Sequence, residues 1–84
     1  MNCQSLLSNL PKIELLVYDV MPEIICCTES RITADVYDGE ININGYNILR
    51  SNSHTRHSGG VTIYYKNSIE INLIEENVFG YNNI

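Results

Sequence analysis

Glu29 closes the stretch Pro22-Glu23-Ile24-Ile25-Cys26-Cys27-Thr28-Glu29, and any chemistry this chain carries is best sought there. The apolar run Ile24 to Cys27 has no polar side. That pattern predicts a strand covered on both faces, as inside an α/β layer. The polar residue closing such a strand emerges at its carboxyl end, where open α/β sheets place their ligands. A carboxylate there suits Mg²⁺, a hard cation that takes oxygen ligands and keeps several waters. A metal so held polarises a phosphoryl oxygen and helps to generate a hydroxide nucleophile. Asn2 offers an amide donor and acceptor, able to hold a phosphate oxygen or orient a neighbour.

Other chemistry-bearing residues form weaker patterns. The three cysteines, Cys3, Cys26 and Cys27, give an odd count without CxxC spacing. Adjacent Cys26 and Cys27 point to opposite faces of a strand and do not readily bridge. They read as small buried thiols of a reducing compartment, and a thiol-redox role conflicts with that burial. His54 and His57 flank Arg56 in a polar segment with no matching carboxylate. No Ser-His-Asp set, phosphate-binding glycine loop or zinc motif is present.

The elements that must position Glu29 follow from spacing. Leu10, Ile13, Leu16 or Val17, and Val20 recur at helical period, with Asn9 as N-cap and Pro11 in the first turn. This predicts an amphipathic helix from about Leu10 to Val20, stopped by Pro22, which pushes Met21 towards extended geometry. A strand over Ile24–Thr28 follows, so helix and strand resemble the second half of a βαβ unit whose first strand lies before Asn2. Ser30 to Ile41 reads as a loop, and Asn44-Gly45 as a turn. Tyr46 to Arg50 is a short strand, Asn52 to Gly60 a long hairpin connection. Val61, Ile63 and Tyr65 alternate along the next strand, and Ile69, Ile71 and Leu73 along another, predicting three consecutive antiparallel strands.

At 84 residues there is room for one small domain. The 44% hydrophobic and 18% charged composition is that of a globular chain rather than a disordered one. Net charge is −5, with only five Lys and Arg, which argues against avid, independent binding to DNA or RNA. The amino-terminal residues lack the basic and apolar regions of a secretory signal. No apolar run approaches the ~20 residues of a spanning helix. An intracellular, non-secreted, non-membrane protein is expected.

In order along the chain, Asn2-x-x-Ser5-Leu6, the helix, Pro22 to Glu29, Gly45-Tyr46-Asn47-Ile48-Leu49-Arg50 and Ser58-Gly59-Gly60-Val61-Thr62-Ile63-Tyr64 resemble one family. They look like the start of the endonuclease/exonuclease/phosphatase domain, in the form carried by non-LTR (LINE-type) retrotransposons. The likeness runs from Asn2 to about Ser68. It implies a four-layer α/β/β/α sandwich of two sheets flanked by helices, cleaving phosphodiesters with Mg²⁺ or Mn²⁺. In retrotransposons this domain nicks target DNA in the nucleus so that the 3′ end primes reverse transcription. Glu29 matches the family's metal-binding glutamate. Asn2 matches the asparagine ending the first strand, which arranges the phosphate and its neighbours. Arg50 and Gly59-Gly60 match positions flanking the site.

The sequence also departs from the family. Its Asp-x-Asn pair and terminal Asp-His, which activate water, do not occur in these residues. Asn52 stands where an acidic residue is common, and the glycine triplet is reduced to Ser58-Gly59-Gly60. Residues 1–84 are therefore expected to be a partial domain, lacking the first strand and the C-terminal half. The complete domain would bind DNA; this part would bind it weakly or not at all and would not cut it. The competing expectation is a non-enzymatic interaction module that pairs with another chain through exposed sheet edges and the tail residues Phe79 and Tyr81.

Overall fold

The structure, a computed structural model, describes residues 1–69. Its elements run α1 (Leu6–Val20), β1 (Ile24–Thr28), a 3₁₀ turn (Asp38–Glu40), β2 (Tyr46–Ser51) and β3 (Val61–Lys66). The three strands make one antiparallel sheet in the order β1-β3-β2, so the chain is a small α/β fold. β2 and β3 form the expected hairpin, with Tyr46 opposite Lys66 and Ser51 opposite Val61. β1 joins the other side of β3, with Ile24 opposite Tyr65 and Thr28 opposite Val61. The second edge of β3 is thus taken by β1 rather than by a strand that follows it. The strand predicted through Ile71 and Leu73, and the tail residues Phe79 and Tyr81, lie outside the described residues.

The helix starts a turn earlier than the spacing predicts. Leu6 is wholly buried and begins the apolar stripe that Ile13 and Val17 continue. Asn9 is therefore inside the helix rather than its cap. Its Nδ2 donates to the carbonyls of Cys3 (2.8 Å), Gln4 (3.1 Å) and Ser5 (3.2 Å), gathering up the turn that leads into α1. Pro11 also lies inside the helix, where it deprives the Leu7 carbonyl of its regular donor. At the other end Met21 is left-handed (φ 52°, ψ 52°) rather than extended. Its N–H donates to the Val17 carbonyl at 2.7 Å, an αL cap that closes the helix one residue before Pro22.

β1 corrects a second expectation. Its burial alternates, with Ile25 and Cys27 buried and Ile24, Cys26 and Thr28 exposed. Only one face is covered among the described residues. Ile25, Cys27, Tyr46, Thr62 and Tyr64 turn towards Leu6, Ile13 and Val17 of α1, and the loop residues Ile32, Val36, Ile41 and Ile43 complete the core. Full burial of each such aliphatic side chain contributes about 1.5–3 kcal/mol. Val61, Ile63 and Tyr65 do share a face, as the alternation predicts, but it is the less covered one. Cys26 and Cys27 do point to opposite faces; Cys26 is nonetheless an exposed thiol, not a buried one.

Two side chains hold the loop over Ser30 to Ile41 against the sheet. The Tyr64 hydroxyl, at the centre of the core, donates to the Ile41 carbonyl at 2.6 Å. Arg50 spreads its guanidinium across the loop. It donates to the carbonyls of Val36 (2.7 Å) and Thr33 (2.8 Å), to Asp38 Oδ1 (3.0 Å) and to Asn52 Oδ1 (2.6 Å). A planar fork with fixed donor directions makes this set; an ammonium does not. Arg50→Lys should leave at least one of the two carbonyls without a donor and cost about 1–3 kcal/mol in urea unfolding.

Burial pushes the Cys27 thiol and the Tyr64 phenol far above their ordinary values of 9.0 and 10.0, and the neighbouring Cys3 thiol adds to the Cys27 shift. Both groups are neutral below those values in folded and unfolded chains alike, so their contribution to stability is intact there. Above them the unfolded chain ionises first, and stability is lost as pH rises. The melting temperature should therefore fall above about pH 9. Tyr64→Phe and Cys27→Ala should each flatten that alkaline slope in a melting series.

Candidate functional site

The stub Met1–Cys3 lies alongside the end of β1, pairing in parallel through Asn2 and Thr28. Thr28 N–H donates to the Met1 carbonyl and Cys3 N–H to the Thr28 carbonyl, both at 2.8 Å. The ladder continues as Ser5 N–H donates to the Glu29 carbonyl at 3.0 Å and Leu6 N–H to the Ser30 carbonyl at 2.9 Å. Asn2 and Glu29 are thereby brought to neighbouring strand ends, as the sequence predicts. The Asn2 amide oxygen accepts from Gln4 N–H at 3.1 Å, a local turn that directs the chain towards α1.

Glu29 is held from the opposite side by the glycine pair that leads into β3. Its Oε2 accepts from Gly59 N–H at 3.0 Å. Flanking that contact, Ser30 N–H donates to the Gly60 carbonyl (3.2 Å) and Arg31 N–H to the Gly59 carbonyl (2.9 Å). Both glycines have φ of +84°. A Cβ on Gly60 would stand 3.0 Å from Ser30 Oγ and 3.2 Å from the Ser53 amide nitrogen. Only a residue without a side chain fits there. The pair therefore positions Glu29 through its backbone, which gives the sequence motif a physical role.

Backbone strain concentrates at this end of the sheet. Gln4, Ser5, Glu29 and Arg31 all have positive φ, as do Gly59 and Gly60. Non-glycine residues in that region cost about 1–3 kcal/mol each and persist where the surroundings hold them. Arg31, which sequence reasoning passed over as part of a loop, is the only cation the described structure places against Glu29. Its Nε lies 3.9 Å from Glu29 Oε2, is itself buried, and makes no hydrogen bond. No strand or helix period reaches Arg31, so nothing in the sequence marked it: the left-handed backbone at Glu29 and Arg31 is what brings the two side chains together.

No family model matches this sequence, and no curated protein matches it either.

The remaining sequence candidates are not part of the constellation. His54 and His57 are exposed on the connection between β2 and β3. Arg56 on the same connection pairs with Asp35 at 2.7 Å. The Thr33 hydroxyl, and after it Arg56, hold the Asp35 carboxyl below its ordinary value. Arg50 is occupied in clasping the loop. Among the described residues no three His, Cys, Asp or Glu side chains come together. Glu29 supplies one carboxylate, within the one or two that a Mg²⁺ site commonly draws from protein. One oxygen of that carboxylate is already engaged by Gly59, and among the described residues no group of three His, Cys, Asp or Glu side chains includes it. Nor is any helix among the described residues long and apolar enough to cross a membrane.

Gly60→Ala combines a disfavoured φ with close approach to Ser30 and the Ser53 backbone, so it should lower unfolding stability by about 1–3 kcal/mol. Gly39→Ala makes the control, because a Cβ at Gly39 meets nothing within 4 Å. Urea unfolding of the two variants should separate them.

Proposed function

We propose that the chain is the N-terminal part of a Mg²⁺-dependent (or Mn²⁺-dependent) phosphodiester-hydrolysing endonuclease, of the endonuclease/exonuclease/phosphatase type carried by non-LTR retrotransposons. Nicking of target DNA would be the activity of the complete domain. The observation that carries this reading is the placement of Glu29. Its carboxylate stands at the carboxyl end of β1, one register step beyond the Thr28 that pairs with Asn2, and is fixed by Gly59. That placement supports the positions the sequence resemblance gives to Asn2, Glu29 and the glycine pair.

Among the described residues one face of the sheet is uncovered, which supports the four-layer architecture. Ile24, Cys26, Leu49, Val61 and Ile63 leave an apolar surface opposite α1. A second sheet packed on it would yield the α/β/β/α order. The family's Asp-x-Asn and Asp-His residues are not in this sequence, so the metal's remaining ligands and the general base would have to come from elsewhere. The chain alone is thus a positioned glutamate without the means to cleave. The same open face and edges favour a second reading, an interaction module with no enzymatic role.

Paramagnetic Mn²⁺ added to the ¹⁵N-labelled chain tests the metal assignment. Amide signals of Asn2, Glu29, Gly59 and Gly60 should broaden first, and Glu29→Gln should abolish the effect. Broadening confined to the acidic segment Asp35 to Glu40 would overturn the assignment. In parallel, supercoiled plasmid with Mg²⁺ should stay uncut. Nicking that disappears with Glu29→Ala would show instead that the chain is a complete catalyst.

A further inference from the structure

Of the five Lys and Arg in this chain, Arg31 is the one that the described structure leaves without an evident task. Arg50 is taken up by the loop carbonyls, and Arg56 pairs with Asp35. Lys12 is exposed on α1 and Lys66 closes β3, neither of them placed against Glu29. Arg31 has a left-handed backbone (φ 56°), held there as its N–H donates to the Gly59 carbonyl at 2.9 Å. That puts a guanidinium beside Glu29 but not on it. At 3.9 Å the separation of Nε from Oε2 exceeds hydrogen-bonding range, and Oε2 already accepts from Gly59 N–H. Nε is buried and has no acceptor, while the side chains of Arg31 and Glu29 stay 30% and 39% exposed. A buried charged donor without a partner is costly, so it marks a place where an acceptor from outside fits.

We infer that Arg31 is the residue of this site that contacts the substrate phosphate, donating from Nε and an adjoining Nη to two oxygens of a phosphodiester. The inference rests on the nuclease reading of Glu29, and adds to it a residue that the sequence resemblance does not assign. A planar fork with two parallel donors matches a pair of phosphate oxygens; a lysine ammonium does not. Charge points the same way. Glu29 and Arg31 together carry no net charge, so a divalent cation on Glu29 leaves this corner strongly positive. A phosphodiester is the anion that relieves it. Arg31 therefore repels the bare cation, whereas cation and phosphate each favour the binding of the other.

The thymidine dinucleotide TpT, which has one phosphodiester and no terminal phosphate, tests the contact when titrated into the ¹⁵N-labelled full chain with Mg²⁺ present. The Arg31 Nε–H signal should shift saturably, and Arg31→Gln should weaken binding about tenfold or more. Arg31→Lys keeps the charge without the fork and should weaken it about threefold or more. Lys12→Gln removes an equal charge from α1 and should stay within about twofold of the parent. Both Arg31 variants retain the amide that donates to Gly59, and the β1 and β3 amide spectra verify their fold. Mn²⁺ broadening without dinucleotide separates phosphate contact from mere support of Glu29. Arg31→Gln should bind Mn²⁺ at least as tightly as the parent, because a repelling charge is gone. Weaker Mn²⁺ binding by that variant would make Arg31 a prop for the carboxylate and overturn the inference. TpT binding that Arg31→Gln leaves intact would also overturn it. An Nε–H signal unmoved by TpT while Mn²⁺ still broadens Glu29 would overturn it too, with the metal assignment surviving alone. Absence of any Mn²⁺ broadening at Glu29 would remove the nuclease reading and this inference with it.

Discussion

The site end of this molecule depends on the absence of a single methyl group. Gly60 lies between Ser30 and the backbone of Ser53, so close that a Cβ would have to displace one of them. Because there is none, the Gly59-Gly60 backbone runs directly beside Glu29–Arg31, donating from Gly59 N–H to the glutamate carboxylate and accepting from the Ser30 and Arg31 amides. That close approach extends the β1–β3 pairing past Thr28 and anchors the first part of the loop. Ser53 N–H donates to the Ile32 carbonyl at 2.9 Å, so the long hairpin connection is tied to the same segment. Strain at Glu29 and Arg31 is thus held by neighbours rather than relaxed into a wider turn.

The rest of the fold follows from packing on one side only. α1 and the segment from Ser30 to Ile43 share the covered face, and that segment behaves as core because Ile32, Val36, Ile41 and Ile43 enter it. Arg50 satisfies the carbonyls that such a buried loop would otherwise leave unpaired, which is a costly omission inside a protein. Its place at the end of β2 therefore has a structural explanation that does not involve substrate.

How much of this is legible in the sequence varies by element. β2, β3 and their long connection follow from alternation and turn residues, and the observed strands agree. Glu29 and Asn2 fall at strand ends as their positions imply, since a polar residue after an apolar run has few other places to go. The start of α1 is not legible, because Leu6 and Leu7 precede Asn9 and Pro11, two residues that usually mark a beginning. Here the Asn9 side chain serves carbonyls behind it, and burial of Leu6 outweighs the proline's lost hydrogen bond. Two-sided burial of β1 is the informative miss. Ile24 and Cys26 are as apolar as Ile25 and Cys27, so the residue types describe a strand with two covered faces while the 69 described residues supply one cover. Arg31 escaped notice because a charge in a loop carries no periodicity.

The contrast between Cys26 and Cys27 has a practical meaning. The two thiols are chemically identical and adjacent, yet one is exposed on the open face and the other is sealed in the core beside Cys3. Alkylation should therefore discriminate between neighbours in sequence by the side of the sheet they occupy. Cys26 is a built-in reporter: its rate of modification measures how often the apolar face stands uncovered, and anything that settles on that face becomes visible as a slower reaction at one sulfur.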